Sequence, residues 1–190
     1  MGTAERPDTM QVLLTNVGGR RFALDCAEVV EVLPIVEHRT AGAGPAWLRG
    51  LFNLRGAMVP LVDLSVIVDG TPTAPKLGSR IVVLRLEAEL FDATRADGGA
   101  NLVGLLVPEA FGPFPRDFSQ AGAHPGFDFA GASHLGPTIA DEEGFLQLLR
   151  CRRILEGDAR LRELPRTFDA PIEDGRDGTI DGVRGSMGRA

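Results

Sequence analysis

Cysteine and long apolar runs are both scarce in this chain of 190 residues. The only two cysteines, Cys26 and Cys151, are far apart and form no CxxC pair, so they are predicted to be free, buried thiols and not a disulfide. No apolar run approaches the roughly 18 residues that a membrane-spanning helix needs. Residues 1–9 are polar and lack the apolar core of a signal peptide. The sequence therefore predicts a cytoplasmic protein without direct membrane insertion.

Positive charge is sparse as well. The chain has 20 Lys+Arg against 26 Asp+Glu, a formal net charge of −6, and its single lysine is Lys76. Proteins that bind nucleic acid usually concentrate positive charge on one face, whereas the arginines here are spread along the chain. The composition thus speaks against nucleic acid as a partner. It is 44% hydrophobic, which suffices for a core without a metal or a disulfide.

Motifs of catalysis and metal binding are also missing. The three histidines show neither HxxxH nor HExxH spacing, and no G-x-S-x-G occurs. Neither Gly-Gly pair leads into a GK[ST] helix start, as a phosphate loop would. The carboxylate run 141–143 is interpreted as a solvated turn. No catalytic residue, metal site or cofactor is predicted.

What the chain has in abundance is short apolar segments between turn residues. Residues 10–16 and 21–25 flank Gly18-Gly19, a pattern typical of a β-hairpin because glycine accepts the positive φ of a tight turn. Further strand-like segments are 31–36, 51–54, 57–62, 80–86, 102–107, 133–140 and 145–149. No helix is long enough for a βαβ crossover. The spacing predicts an all-β sandwich or barrel fold.

The remaining segments are predicted to be short helices, loops and a tail. Asp25 and Asp63 are suited to cap short helices at 26–30 and 64–68, and residues 151–155 are predicted to form a C-terminal helix. Segment 70–78 is interpreted as a connector between two halves, and 108–115 as irregular because it contains three prolines. We expect a flexible N-terminus at 1–9, a domain at 10–157, a loop at 87–100 and a disordered tail at 158–190.

The most informative stretch is 49–68 (RGLFNLRGAMVPLVDLSVIV). Two strands around an Arg-Gly turn need Gly56 for backbone freedom, and Asn53 can hydrogen-bond the turn. Arg55 then projects from the tip, where its guanidinium can hold a carboxylate of a partner. On the residues alone, an ordinary solvated turn arginine remains the alternative.

This stretch resembles the hallmark hairpin of CheW-like domains, in which G-hydrophobic-hydrophobic-N-L-R-G is followed by hydrophobic-V-P-hydrophobic-hydrophobic-D-L. Weaker similarity extends over residues 10–157, including 22–32, 102–107 and 145–155. The resemblance implies two packed, five-stranded SH3-like β-barrels with short helices. The stiff 111–115 segment, the long 87–100 loop and the tail depart from the family pattern.

The resemblance also implies a function. It indicates a non-catalytic adaptor that couples the cytoplasmic tip of a methyl-accepting chemoreceptor to the regulatory domain of a CheA-type histidine kinase. Arg55 and Glu31 are then expected at the receptor-facing surface, with Asn53, Gly56 and Asp63 shaping the hairpin, and Leu51 and Phe52 as possible kinase-edge residues. The alternatives are a scaffold of a non-motility pathway, a self-assembling scaffold, and a small-molecule-binding β-barrel suggested by Phe111, Phe114, Phe118, Phe127 and Phe129.

Overall fold

The computed structural model describes residues 9–40, 44–85, 102–119 and 134–156. The loop expected at 87–100, the tail expected at 158–190 and most of the expected N-terminal segment lie outside these ranges. Thr9, expected in the flexible N-terminus, is the first residue of a strand.

Within the described ranges the chain forms ten strands and two short helices. Their order is β1 (Thr9–Val17), β2 (Arg20–Asp25), β3 (Val29–Pro34), β4 (Leu48–Leu54), β5 (Ala57–Asp63), α1 (Leu64–Asp69), β6 (Arg80–Arg85), β7 (Leu102–Val107), β8 (Phe111–Asp117), β9 (Leu135–Asp141), β10 (Gly144–Leu149) and α2 (Cys151–Glu156). The predicted all-β class, with short helices and a short C-terminal helix, is confirmed.

The strands form two five-stranded sheets, as predicted. The first sheet has the order β8-β1-β2-β10-β9 and the second has the order β3-β6-β7-β5-β4. Each contains one parallel pair, β2 with β10 and β5 with β7. The sheets are not consecutive halves of the chain, because the middle strands form the second sheet and both ends form the first. Segment 70–78, expected to connect two halves, joins α1 to β6 and so lies between two parts of the second sheet.

Three apolar clusters fill the fold, one for each sheet and one between the sheets. They arise because side chains alternate between the two faces of a strand. On β6, Ile81 and Val83 belong to the second sheet's own cluster, whereas Val82 and Leu84 belong to the shared cluster. The following apolar residues of β5, β6 and β7 are all buried: Val59, Leu61, Val62, Val82, Leu84, Val103, Leu105 and Val107.

The shared cluster joins residues of both sheets and of α2, including Phe22, Leu24, Val62, Leu105, Leu149 and Ile154. This is the apolar interface that the two-barrel expectation requires. Burying side chains of this size stabilises the fold by roughly 1.5–3 kcal/mol each. Leu51 and Phe52, considered for an exposed edge, are instead buried.

Two local predictions were wrong. Residues 26–28, predicted to begin a short helix, form only a turn between two strands. The Asp25 side chain accepts a hydrogen bond from Ala27 N, the Asp25 carbonyl accepts one from Glu28 N, and β3 begins at Val29. Segment 108–115 was predicted to be irregular, yet most of it is β8. The prolines of β8 are tolerated because β8 is an edge strand. One side of an edge strand has no neighbouring strand, so a missing N–H on that side removes no hydrogen bond from the sheet.

Candidate protein-interaction site

The turn between β4 and β5 has a well-defined shape. Arg55 has φ 51° and Gly56 has φ 93°, so both central residues adopt the positive φ that two-residue hairpin turns require. Asn53 Oδ1 accepts a hydrogen bond of 2.7 Å from Gly56 N, which closes the turn. A non-glycine residue at positive φ is uncommon. The backbone thus holds Arg55 at the tip of the hairpin.

Arg55 is bound to Glu31 by two parallel hydrogen bonds. Nη1 donates to Oε1 at 2.9 Å and Nη2 donates to Oε2 at 2.8 Å. The Arg55 side chain is 76% exposed, whereas the Glu31 side chain is only 19% exposed. Such bidentate pairing fixes the orientation of the guanidinium plane. The sequence predicted that Arg55 holds a carboxylate of a partner, and in the structure it holds one from its own chain.

The pair links the two edges of the second sheet. Glu31 lies on β3, and Arg55 follows β4; these two strands are the sheet's outer members. Glu31 is opposite Val83 in the ladder, so its side chain is on the face that carries the second sheet's own apolar cluster. The two edge strands of the second sheet therefore approach each other at this pair.

A second contact joins the same edges. Arg39, which follows β3, forms an isolated antiparallel bridge with Leu51 of β4, with both N–H···O bonds at 2.8 Å. Gly50 permits this approach, because a Cβ at that position would lie 1.8 Å from Arg39 O. Gly50 also has φ 143°, a backbone conformation that residues with a side chain rarely adopt. Gly50 is the first residue of the hairpin motif, whereas nothing in the local sequence indicates Arg39 as its neighbour.

Three apolar side chains of β3 and β5 are also exposed, and Val32 lies on the face of β3 opposite to that of Glu31. Val30 and Val32, the neighbours of Glu31 in β3, are 39% and 40% exposed. Val30 stands at a register shift in the pairing of β3 with β6. Met58, two residues after Gly56, is 37% exposed. Arg55 and Glu31, the two residues expected at a receptor-facing surface, thus lie together at the β4–β5 turn.

Asp63 anchors the other end of the hairpin. It is fully buried and caps α1 by accepting from Ser65 N at 3.0 Å. Thr73 donates to it twice, from N at 2.9 Å and from Oγ1 at 2.7 Å. Arg49 Nη1 lies 3.8 Å from Asp63 Oδ2. The predicted cap is present, and the carboxylate additionally ties segment 70–78 to β5; Thr73 was not foreseen, since nothing in the local sequence marks it.

A second polar cluster closes the β9–β10 turn. Arg21 Nη2 contacts Asp141 Oδ2 at 2.9 Å and Glu143 Oε2 at 2.8 Å. The hydrogen bond from Arg21 lowers the pKa of Asp141, and the same bond raises the pKa of Arg21. The turn 141–143 is thus tied to β2 by ion pairs. It is not merely solvated, as the sequence had suggested.

No group of three or more His, Cys, Asp or Glu residues in the described part of the chain is arranged to hold a metal ion. Cys26 and Cys151 are free thiols, as predicted, and burial raises the pKa of both, well above the ordinary value for Cys151. The helices described are all too short to cross a membrane.

The phenylalanines that suggested a ligand-binding barrel do not form one buried set. Phe118 is in the first sheet's own cluster, whereas Phe111 and Phe114 are exposed on β8. Phe127 and Phe129 lie outside the described residues. Arg116 stacks on the Phe114 ring at 5.7 Å.

The fold defines a class of small proteins built of two five-stranded β-sheets. The scaffolding protein TtCheW from Thermoanaerobacter tengcongensis, known from a crystal structure, has the same fold: TM-score 0.62, 18% identity, over 78% of this chain and 92% of that one. The family model for the CheW-like domain matches residues 11–159. The chain belongs to the CheW-like family.

Two relatives of known name show similarity in sequence. Protein PilI of Pseudomonas aeruginosa is 32% identical over 108 residues, which is 55% of this chain and 54% of PilI. The probable chemotaxis protein CheW of Rhizobium etli is 25% identical over 97 residues, 51% of this chain and 55% of that protein. The matches span about half the length of each relative. The resemblance drawn from the hairpin motif is thereby confirmed at the level of the family.

Proposed function

We propose that the chain is a non-catalytic cytoplasmic adaptor that couples chemoreceptors to a CheA-type histidine kinase. In this proposal the receptor-facing surface, at Arg55 and Glu31, binds the cytoplasmic tip of a methyl-accepting chemoreceptor, and the regulatory domain of the kinase binds elsewhere on the two sheets. The observation that carries it is the Arg55 guanidinium, which is 76% exposed yet held by two hydrogen bonds on a closed turn.

Preorganisation is what makes this arrangement suitable for recognition. A solvated surface arginine loses side-chain entropy when a partner immobilises it, roughly 0.5–1.5 kcal/mol. Arg55 is already fixed by Glu31, so most of that cost falls in folding and not in binding. An exposed and fixed guanidinium also matches the composition of interaction hot spots, where arginine is enriched.

Family membership supports the adaptor role, and the names of the relatives support a chemosensory pathway. One relative is named for chemotaxis, and the solved relative is described as a scaffolding protein. A second candidate, which family membership leaves open, is the same scaffold role in a non-motility pathway. Both candidates use the same surfaces and differ only in the receptor and kinase served.

The test is direct binding of purified partners to the full chain. We expect a receptor cytoplasmic fragment and a kinase regulatory domain to bind separately in calorimetry. Arg55→Glu should weaken the binding of the receptor fragment by about 2 kcal/mol, or roughly 30-fold in Kd, the typical loss at a hot spot, and should leave the binding of the kinase domain unchanged. Arg153→Glu, an exposed change on α2, is the matched control. Circular dichroism and unfolding curves show whether each variant is folded.

Two results would contradict the proposal. One is a folded Arg55→Glu variant that binds the receptor fragment as well as the wild type, which would remove the surface from the interface. The other is a chain that binds neither the receptor fragment nor the kinase domain from the same genome, which would remove the adaptor role.

A further inference from the structure

The two free cysteines lie just beyond the ends of neighbouring strands, the parallel pair β2 and β10. Leu24 is opposite Leu149 in the last pairing of this ladder. Two residues onward along both strands, Cys26 comes opposite Cys151. Neighbouring strands lie about 4.8 Å apart, which is within the range of about 4.4–6.8 Å between the Cα atoms of disulfide-bonded cysteines. The register thus places side by side two thiols that are more than 100 positions apart in the sequence.

Backbone hydrogen bonds show that both segments continue beyond the last pairing of the ladder. Cys26 N donates to Gln11 O at 2.9 Å, which extends the pairing of β2 with β1 by one residue. Arg150 N donates to His134 O at 2.9 Å, directly after the pairing of β10 with β9. Both segments therefore keep their course to the positions of the cysteines, so the register can be followed that far.

The two cysteine side chains also share one face of the sheet. Residues two positions apart on a strand lie on the same face, so Cys26 is expected on the face of Leu24 and Cys151 on that of Leu149. Leu24, Leu149 and Cys151 are members of the shared cluster between the sheets, and Cys26 packs against it. Both thiols are therefore directed into the same apolar region.

The surroundings of the Cys151 thiol give a separate indication that the two cysteines are close. Burial is the main cause of its raised pKa, and the carboxylates of Glu28 and Asp25 add to it. Both carboxylates belong to the turn that contains Cys26. Cys26 is half-buried, whereas Cys151 is only 1% exposed, so Cys26 is the thiol that a reagent in solution meets first.

We propose that Cys26 and Cys151 are a redox-sensitive pair, which is free under reducing conditions and closes to an intramolecular disulfide under oxidising conditions. With oxidised glutathione, Cys26 attacks the glutathione disulfide, and one glutathione thiol leaves with the proton of Cys26. Cys151 then attacks the sulfur of Cys26, and the second glutathione thiol leaves with the proton of Cys151. Two protein thiols lose two electrons, and one glutathione disulfide is reduced to two thiols. Cys151 needs no contact with the oxidant, because its reaction partner is the adjacent sulfur of Cys26.

The disulfide would join two parts of the chain where the fold changes sheets. Residues 26–28 lead from the first sheet into β3, and α2 begins at Cys151 and contributes Ile154 to the shared cluster. A link between residues so distant in sequence restricts the unfolded chain far more than the folded one. Oxidation should therefore stabilise the fold.

The test compares the disulfide equilibrium in the folded and in the unfolded chain. The full chain is equilibrated at pH 8 with mixtures of reduced and oxidised glutathione, with and without enough urea to unfold it. Equilibrium is approached from both directions, because the raised pKa of both thiols slows the exchange. Mass spectrometry of the acid-quenched, digested chain then measures the linked fraction. We expect the equilibrium constant for the link to be at least about 10-fold larger in the folded chain, which holds the thiols together without a cost of loop closure.

Urea unfolding supplies the second measurement and its control. The oxidised wild type should unfold at a higher urea concentration than the reduced protein, and dithiothreitol should abolish the difference. Cys26→Ser retains the buried Cys151 and should show no difference between oxidising and reducing conditions. An equilibrium constant that is no larger in the folded chain would overturn the inference. Products that consist only of glutathione mixed disulfides and linked dimers would overturn it as well.

Discussion

Replacement of Gly50 by alanine tests whether the meeting of the sheet edges stabilises the fold. A Cβ there would stand 1.8 Å from Arg39 O, so the bridge between Arg39 and Leu51 cannot persist. Two backbone hydrogen bonds of 2.8 Å would be lost. At a net of about 0.5–1.5 kcal/mol each, their loss destabilises the chain by about 1–3 kcal/mol.

Backbone strain at a positive φ adds to this loss of stability, and comparison with a control variant allows that contribution to be subtracted. Gly144 also has a large positive φ, 111°, but a Cβ there would meet nothing within 4 Å. Gly144→Ala therefore has a conformational cost of positive φ without the clash. We expect Gly50→Ala to be less stable than Gly144→Ala by about 1–3 kcal/mol, or roughly 2–12 °C in Tm, measured by urea and thermal unfolding. Equal stability of the two variants would refute the reasoning.

Three further predictions concern the two sheets. Gly104→Ala should destabilise the fold by about 1–3 kcal/mol in urea unfolding, because its Cβ would lie 2.5 Å from Phe52 Cε1. Adding Phe52→Leu to this variant should recover part of the lost stability. An unchanged stability of Gly104→Ala would contradict the packing. The pKa of Asp141 is lowered in the folded protein, so the contribution of its carboxylate to folding stability is fully present above the ordinary pKa of 3.8 and is lost as the pH falls through the lower folded value. The wild type should therefore exceed Asp141→Asn in free energy of unfolding above that acid range, and the difference should shrink only within it. Cys151 should not react with a thiol reagent at pH 8 until urea unfolds the chain, because its thiol is buried and its pKa is raised. The half-buried Cys26 should react earlier. Fast labelling of Cys151 in the native protein would contradict its burial.

Much of the strand content could be predicted from the sequence because it is encoded locally. Apolar residues in β6 and β7 and turn glycines between strands mark these elements without any knowledge of their partners. Asp63 was recognisable as a helix cap for the same reason. The family resemblance supplied the barrel pair, which local patterns alone left open between sandwich and barrel.

The errors arose where pairing with distant residues overrides local preference. Proline and glycine suggested an irregular 108–115 segment, but pairing of β8 with β1 makes it an edge strand. Residues 26–28 suited a helix start, yet the chain crosses there from the first sheet to the second. The parallel pairing of β2 with β10 joins residues more than 100 positions apart, and no local pattern indicates it.

The candidate site shows the same division. Arg55, Asn53 and Gly56 belong to one recognisable turn, and their arrangement follows from local geometry. The contact of Arg55 with Glu31 depends on two sheet edges meeting, which is a property of the whole second sheet. Glu31 could be named only through the resemblance, and Arg39 and Thr73 were not named at all.

The most direct measurement of the central claim is whether one chain binds both partners at once. Light scattering on a size-exclusion column, with a receptor cytoplasmic fragment, the full chain and a kinase regulatory domain, would show this. The account predicts a ternary complex of the chain, the receptor fragment and the kinase domain. With the Arg55→Glu variant it predicts a complex of the chain and the kinase domain only. Mutually exclusive binding of receptor and kinase, or a ternary complex that Arg55→Glu leaves unchanged, would contradict it.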